Sequence, residues 1–263
     1  MTTLIAELAT NHGGDVELAA RQIREAAALG ATHAKVQAYQ TKFLSPDDPQ
    51  FAWLKRCELS DLDLSRLAGV CHDEGVKFLA TVFDPERVPL IRELSDEVKI
   101  GSGESRDPDI CGAVFVAEFA RVYVGSGIQR QHALPCIPLY GISQYPAEEA
   151  AALFTIASLS SRPEPIDGPA PWGYSDHTIG TTACEFALGL GAAVLEVHTA
   201  LAGAPKRLAC DKTGGQLGLI AEWCRDGAPL VREVEKFAAD AKAKYVGRWR
   251  YARDTRQPNS VAG

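Results

Sequence analysis

Short apolar runs alternate with stretches of helical period along nearly the whole chain, and no other feature constrains the fold as much. Strand-like runs fall near residues 4–8, 33–38, 77–82, 97–101, 121–125, 137–142, 171–175 and 193–198. Apolar residues at helical spacing fit segments 15–29, 61–74, 85–94, 108–119, 147–158, 181–190 and roughly 216–241. Parallel strands need crossovers of about a dozen residues or more, so this order reads as repeated βα units around a parallel sheet. Eight such units in 263 residues match the size of a TIM (β/α)8 barrel. With 46% hydrophobic residues and no shift of composition, one domain over residues 1–263 is expected, its tail from about residue 245 peripheral.

Two irregularities stand out. Only "SGIQRQHALPC" separates the fifth strand from the sixth, so the helix between them is expected to be largely missing. After the second strand comes "YQTKFLSPDDPQFAWLKRCE", a long loop by this reading, and such loops serve as lids or subunit contacts.

The formal charge of −7 excludes a nucleic-acid or anionic-membrane surface as partner, because both need a net basic face. An anionic small molecule would have to be held by a local cluster of positive groups. The basic, aromatic stretch "GRWRYARDTR" reads as a solvated or partner-facing end. Seven cysteines form no CxxC pair, and an odd number cannot all pair, so reduced thiols and a cytoplasmic location are expected. The opening "MTTLIAELATNHGG" has no basic leader region and too short an apolar run for a signal peptide or a membrane span.

In such a barrel, functional side chains sit at the C-terminal ends of strands, and residues two apart share a face. Polar pairs at that spacing are Lys35 and Gln37, Ser102 and Glu104, Ser175 and His177, and Glu196 and His198. His177 and His198 lie one βα unit apart, at the mouths of adjacent strands about 4.8 Å apart. Two imidazoles there either converge on a borderline divalent metal or serve as structural hydrogen-bonding groups. Asp176, between Ser175 and His177, points the other way and reads as a supporting residue of the turn. Lys35 and Lys99 either form an anion site at the mouth, or snorkel outward or pair with acids. Glu7 and Glu104 are then acid/base candidates, or counter-charges to those lysines. Gly101 and Gly103 would let backbone approach a ligand.

These residues lie in motifs that resemble a known family. "IAELATNHGGDVELAARQIREAAALGATHAKVQ" is similar to the opening of the N-acetylneuraminate (sialic acid) synthase family. "VKIGSGE", "GYSDHTIG" and "VLEVHTAL" resemble its later motifs, in the same order and at similar spacing over nearly the whole chain. That family condenses phosphoenolpyruvate (PEP) with an aldose in a TIM barrel, using manganese or another divalent ion. The resemblance implies that His177 and His198 are metal ligands, for Mn2+ with Mg2+ or Co2+ as alternatives, and belong to the catalytic set with Glu7 and Glu104 as acid/base carboxylates. It implies that Lys35, Thr81, Lys99, Ser102, Ser143 and Ser175 hold PEP, while Gln37, Tyr145 and Asp211 face the acceptor. It also implies a homodimer, with the Trp53 loop or the C-terminal helix as interface.

Departures from the family pattern shape the expectation about the acceptor. Family members usually continue into a small antifreeze-like domain that contacts the sugar, a contact expected to be absent after "YVGRWRYARDTRQPNSVAG". The usual Asp-His after the eighth strand reads Asp211-Lys212, and Gly215 stands where a serine is usual. An acceptor other than ordinary N-acetylmannosamine, whether an unusual sugar or another aldehyde, is therefore expected. Two further readings fit the same barrel: a class I aldolase with Lys35 or Lys99 as Schiff-base lysine, and a non-catalytic binding protein.

Overall fold

A computed structural model describes residues 2–126, 136–160 and 171–227. Eight parallel strands close into a barrel in chain order: β1 (Thr3–Glu7), β2 (His33–Ala38), β3 (Lys77–Val82), β4 (Glu97–Ile100), β5 (Arg121–Ser126), β6 (Ile137–Tyr140), β7 (Gly173–Asp176) and β8 (Val194–His198). β1 pairs with both β2 and β8, which closes the seam. All eight expected strands form; the sixth stops short at Tyr140 and the seventh starts late at Gly173.

The surrounding helices are α1 (Val16–Ala28), α2 (Phe51–Cys57), α3 (Asp61–Asp73), α4 (Val88–Leu94), α5 (Pro108–Val116), α6 (Glu149–Ser160), α7 (Thr182–Gly189) and α8 (Gly214–Asp226). Their starts are written in the sequence. Asp15 caps α1 by accepting from the Leu18 amide at 3.0 Å, and reciprocal capping boxes open α3 (Ser60 with Asp63) and α8 (Thr213 with Gln216). Two expectations are corrected. Segment 39–58 is not a bare loop, since it carries a 3-10 turn, Thr41–Phe43, and α2. The helix expected over 85–94 begins as a separate 3-10 turn, Pro85–Arg87, because the Asp84 cap and Pro85 tighten the entry. The shortened fifth crossover (127–135), the extension of α8 towards 241 and the tail lie outside the described residues. No helix among the described residues is long and apolar enough to cross a membrane.

Strand alternation separates two environments. Leu4 and Ala6 of β1 pack outward with helix residues such as Ile220, whereas Ile5 joins Leu79, Tyr123, Leu139 and Val194 inside the barrel. Below this apolar plug, at the N-terminal ends of the strands, Glu97 accepts from His33 Nε2 (3.0 Å) and Tyr123 Oη (2.7 Å) and pairs with Lys77. Above the plug, the same inward phase brings Glu7, Lys35, Lys99 and Glu196 to the C-terminal mouth.

Candidate active site

A cavity of about 500 Å³ opens at that mouth. Its floor is a buried quartet of two carboxylates and two ammonium groups. Lys35 pairs with Glu7, lies 3.3 Å from Glu196 Oε2 and donates to Thr81 Oγ1 at 2.8 Å. Lys99 pairs with Glu196. Ser175 Oγ donates to Glu196 Oε1 at 2.7 Å, and Glu7 Oε1 accepts from the Ala9 amide at 2.8 Å. Outward snorkelling of the lysines is thereby overturned: both are buried inside the barrel, at 3% and 7% exposure.

The four groups are shifted unequally. Burial raises the Glu7 carboxyl above its ordinary value and the Glu196 charge adds to this, against the pull of Lys35. Glu196 suffers the same burial, but Lys35 and Lys99 together outweigh it and hold its carboxyl below the ordinary range. Burial pushes both lysines down; for Lys35 the attraction of Glu196 and Glu7 wins and the net shift is upward, while for Lys99 burial wins. Glu196 is thus the fixed negative charge, and Glu7 the carboxyl that more readily holds a proton.

Glu104 stands at the cavity wall on the 3-10 turn Glu104–Arg106. Burial raises its carboxyl, offset in part by its own backbone amide and by Lys99. Among the described residues it forms no ion pair with either lysine, so the counter-charge role belongs to Glu7 and to Glu196. A Cβ at Gly101 would sit 2.1 Å from Glu104 Oε2, so that glycine makes room for the carboxylate, whereas a Cβ at Gly103 would meet nothing within 4 Å.

The two histidines meet as their spacing predicts. Their ring centroids are 5.4 Å apart, and the Tyr145 ring stacks over His177 at 4.1 Å and meets His198 edge-on at 5.4 Å. His177 Nδ1 faces the Ile142 carbonyl oxygen at 2.5 Å, which makes it the donor and leaves Nε2 with its lone pair, 3.4 Å from Ser175 Oγ. His198 Nδ1 is buried without a hydrogen-bond partner among the described residues. Burial lowers both imidazoles, and His177 lowers His198 further, so both are neutral at neutral pH. Neutral imidazoles with available lone pairs fit a divalent cation. Among the described residues no third His, Cys, Asp or Glu joins them as a metal-binding cluster, and water or substrate oxygens are donors that can fill the open positions of such an ion.

Gln37, Thr81, Ser102, Ser143, Tyr145 and Ser175 all line the cavity, with Ser102 Oγ and Ser143 Oγ 3.4 Å apart. Asp211 is the one candidate that does not. Its Oδ2 turns into the loop after β8 and accepts from the Arg207 and Leu208 amides at 2.9 and 2.8 Å. Trp53 is packed within the chain against the Arg207 guanidinium, 3.8 Å from its ring.

Sequence reasoning paired Glu196 with His198 on the inner face through their spacing of two in "VLEVH" but gave it no role, although it is the hub of the quartet. It also missed an apolar wall of Tyr39, Leu44, Leu54, Phe83 and Ile110, assembled from three segments and carrying no local signature.

The description "NeuB family" attaches to a family model that matches residues 6–207, a span from β1 past β8 that includes every cavity residue named above. The chain belongs to the NeuB family. This NeuB-family chain is 30% identical over 234 residues to the N,N'-diacetyllegionaminic acid synthase of Campylobacter jejuni, covering 76% of this chain and 68% of that protein. It is 26% identical over 235 residues to the protein of the same name from Legionella pneumophila (74% and 63% covered). It is 28% identical over 229 residues to the N-acetylneuraminate-9-phosphate synthase of Mus musculus (75% and 62% covered). The NeuB-family chain thus spans a little under two thirds of the length of most of these relatives. In fold it matches the N-acetylneuraminic acid synthetase of Leptospira borgpetersenii with a TM-score of 0.73 at 24% identity, over 98% of this chain and 88% of that one.

Proposed function

We propose that this barrel condenses phosphoenolpyruvate with an aldose or other aldehyde to give a 2-keto acid and phosphate, with the help of a divalent metal. The observation that carries the reading is the buried Glu7–Lys35–Glu196–Lys99 quartet beside two neutral histidines in one cavity. Relatives whose names denote sugar-acid synthases support it.

Lys35 and Lys99, with Thr81, Ser102, Ser143 and Ser175, supply the positive charge and hydroxyl donors that a phosphate and a carboxylate need. His177 and His198 would hold the cation, Mn2+ by analogy with the family, and it would supply Lewis acidity for the acceptor carbonyl. As carbon 3 of phosphoenolpyruvate bonds to the aldehyde carbon, the carbonyl oxygen takes a proton from a carboxyl such as Glu7, whose raised affinity suits a donor. Water adds to carbon 2 and gives one proton to a carboxylate, a role Glu104 at the cavity wall would take, and as the carbon–oxygen bond to phosphate breaks the carbon 2 hydroxyl passes its remaining proton to the departing phosphate and becomes the ketone. Gln37 and Tyr145, which line the same cavity, would meet the acceptor. Asp211 turned away from the cavity, together with the apolar wall, supports an acceptor other than N-acetylmannosamine. A cytoplasmic homodimer completes the proposal, with thiols such as Cys57, Cys184 and Cys210 buried as a reducing compartment allows.

The test is phosphate release from phosphoenolpyruvate with Mn2+ and a panel of aldehydes. Release should require an acceptor, stop with chelator and be absent in His177→Ala and His198→Ala. Release that survives chelation would overturn the metal's part in the reading, and borohydride trapping of a keto substrate on Lys35 or Lys99 without phosphate release would overturn the reading in favour of a Schiff-base aldolase.

A further inference from the structure

Lys212 is completely buried, yet it touches neither the cavity nor the quartet. Its Nζ lies 2.7 Å from Asp176 Oδ2 and donates to the carbonyl oxygens of Thr178 (2.6 Å) and Gly180 (2.7 Å), which occupies all three of its donors. These acceptors bracket His177 in sequence. Asp176 is itself held through Oδ1, which accepts from Tyr174 Oη (3.0 Å), the Thr178 amide (3.0 Å) and Thr178 Oγ1 (2.8 Å). The backbone of Lys212 is tied to the other histidine: its amide donates to the His198 carbonyl oxygen at 2.7 Å, and its carbonyl accepts from the Ala200 amide at 3.0 Å.

One residue therefore bonds by its main chain to His198 and by its side chain to the turn that carries His177. We propose that Lys212 is a positioning residue that sets the separation of the two histidines and so the affinity of the site between them for a divalent cation. The inference rests on the two-histidine metal reading. A buried ammonium is costly to desolvate and an apolar side chain could fill the same space, so filling the space does not account for it. What an apolar replacement cannot do is donate to two turn carbonyls and a carboxylate at once.

The test compares the unaltered chain, Lys212→Met and the double variant Asp176→Asn/Lys212→Met, with Co2+ titrated and followed by its visible absorption. Phosphoenolpyruvate binding with chelator present and thermal midpoints are measured alongside. Lys212→Met should bind Co2+ about tenfold or more weakly, as when groups that orient metal ligands are lost. Its phosphoenolpyruvate affinity should stay within about twofold, because Lys35, Lys99 and Thr81 are untouched. The double variant removes the uncompensated Asp176 charge and should regain thermal stability without regaining Co2+ affinity, since the two carbonyls still lack their donor. Unchanged Co2+ affinity in Lys212→Met, or affinity that returns in step with stability in the double variant, would overturn the inference. An unaltered chain that binds no Co2+ would overturn the metal site itself, and the inference with it.

Discussion

The two ends of the barrel are built from the same kinds of side chain and behave in opposite ways. At the N-terminal end, burial would raise the Glu97 carboxyl, but hydrogen bonds from His33, Lys77 and Tyr123 outweigh it and hold the group well below the ordinary range. At the C-terminal end, Glu7 is buried more deeply, and that burial, together with the Glu196 charge that shares Lys35 with it, raises its carboxyl. The first network is closed: its donors and acceptors answer one another, and it seals the barrel. The second lies open beside a cavity, with His198 Nδ1 unpartnered among the described residues. Depth of burial and number of partners, and not residue type, separate a sealed network from a site.

The strongest way to break this contrast is to remove the hub of the open end. Glu196→Gln leaves Lys35 and Lys99 with Glu7 as their remaining counter-charge, and should cost about 3–5 kcal/mol in urea denaturation and abolish phosphate release. At the closed end, Glu97→Gln should cost about 2 kcal/mol while leaving the turnover of the folded protein unchanged, measured by active-site titration.

The two carboxyls should also respond to pH with opposite signs. Glu97, depressed in the folded chain, contributes stability above its ordinary value of 4.5 that is lost as pH falls below it. Glu7, raised, makes a contribution that is present below 4.5 and lost as pH rises through its higher folded value. In thermal melts from pH 7 down to pH 3, Glu97→Gln should flatten the acid loss of stability and Glu7→Gln should steepen it. The smallest effect belongs to Tyr123→Phe, which removes one hydrogen bond to Glu97 and should lower stability by about 1 kcal/mol with kcat and KM unchanged.

Period-two alternation in the sequence was enough to place Lys35, Ser175, Glu196 and His198 on the inner face, since a strand residue's side follows from its parity. The meeting of the histidines followed from their spacing by one βα unit. The hub role of Glu196 did not, because Lys35 and Lys99 reach it from β2 and β4, strands that do not neighbour β8, and barrel closure alone brings them together. Asp211 lies close to His198 in sequence, but a tight turn directs its carboxylate to the Arg207 and Leu208 amides. The apolar wall depends on how segment 39–58 folds, which no periodicity announces.

The seam between β1 and β8 places Glu7 directly beside His198 in register. The proposed proton donor and a proposed metal ligand thus come from the first strand of the barrel and the last. On a ribosome the first half of this pair waits, unpaired on one edge, until nearly the whole barrel has emerged. A chain interrupted before β8 would lack both Glu196 and His198, so under the proposed function it should release no phosphate at all, where a chain missing a peripheral helix would only be slowed.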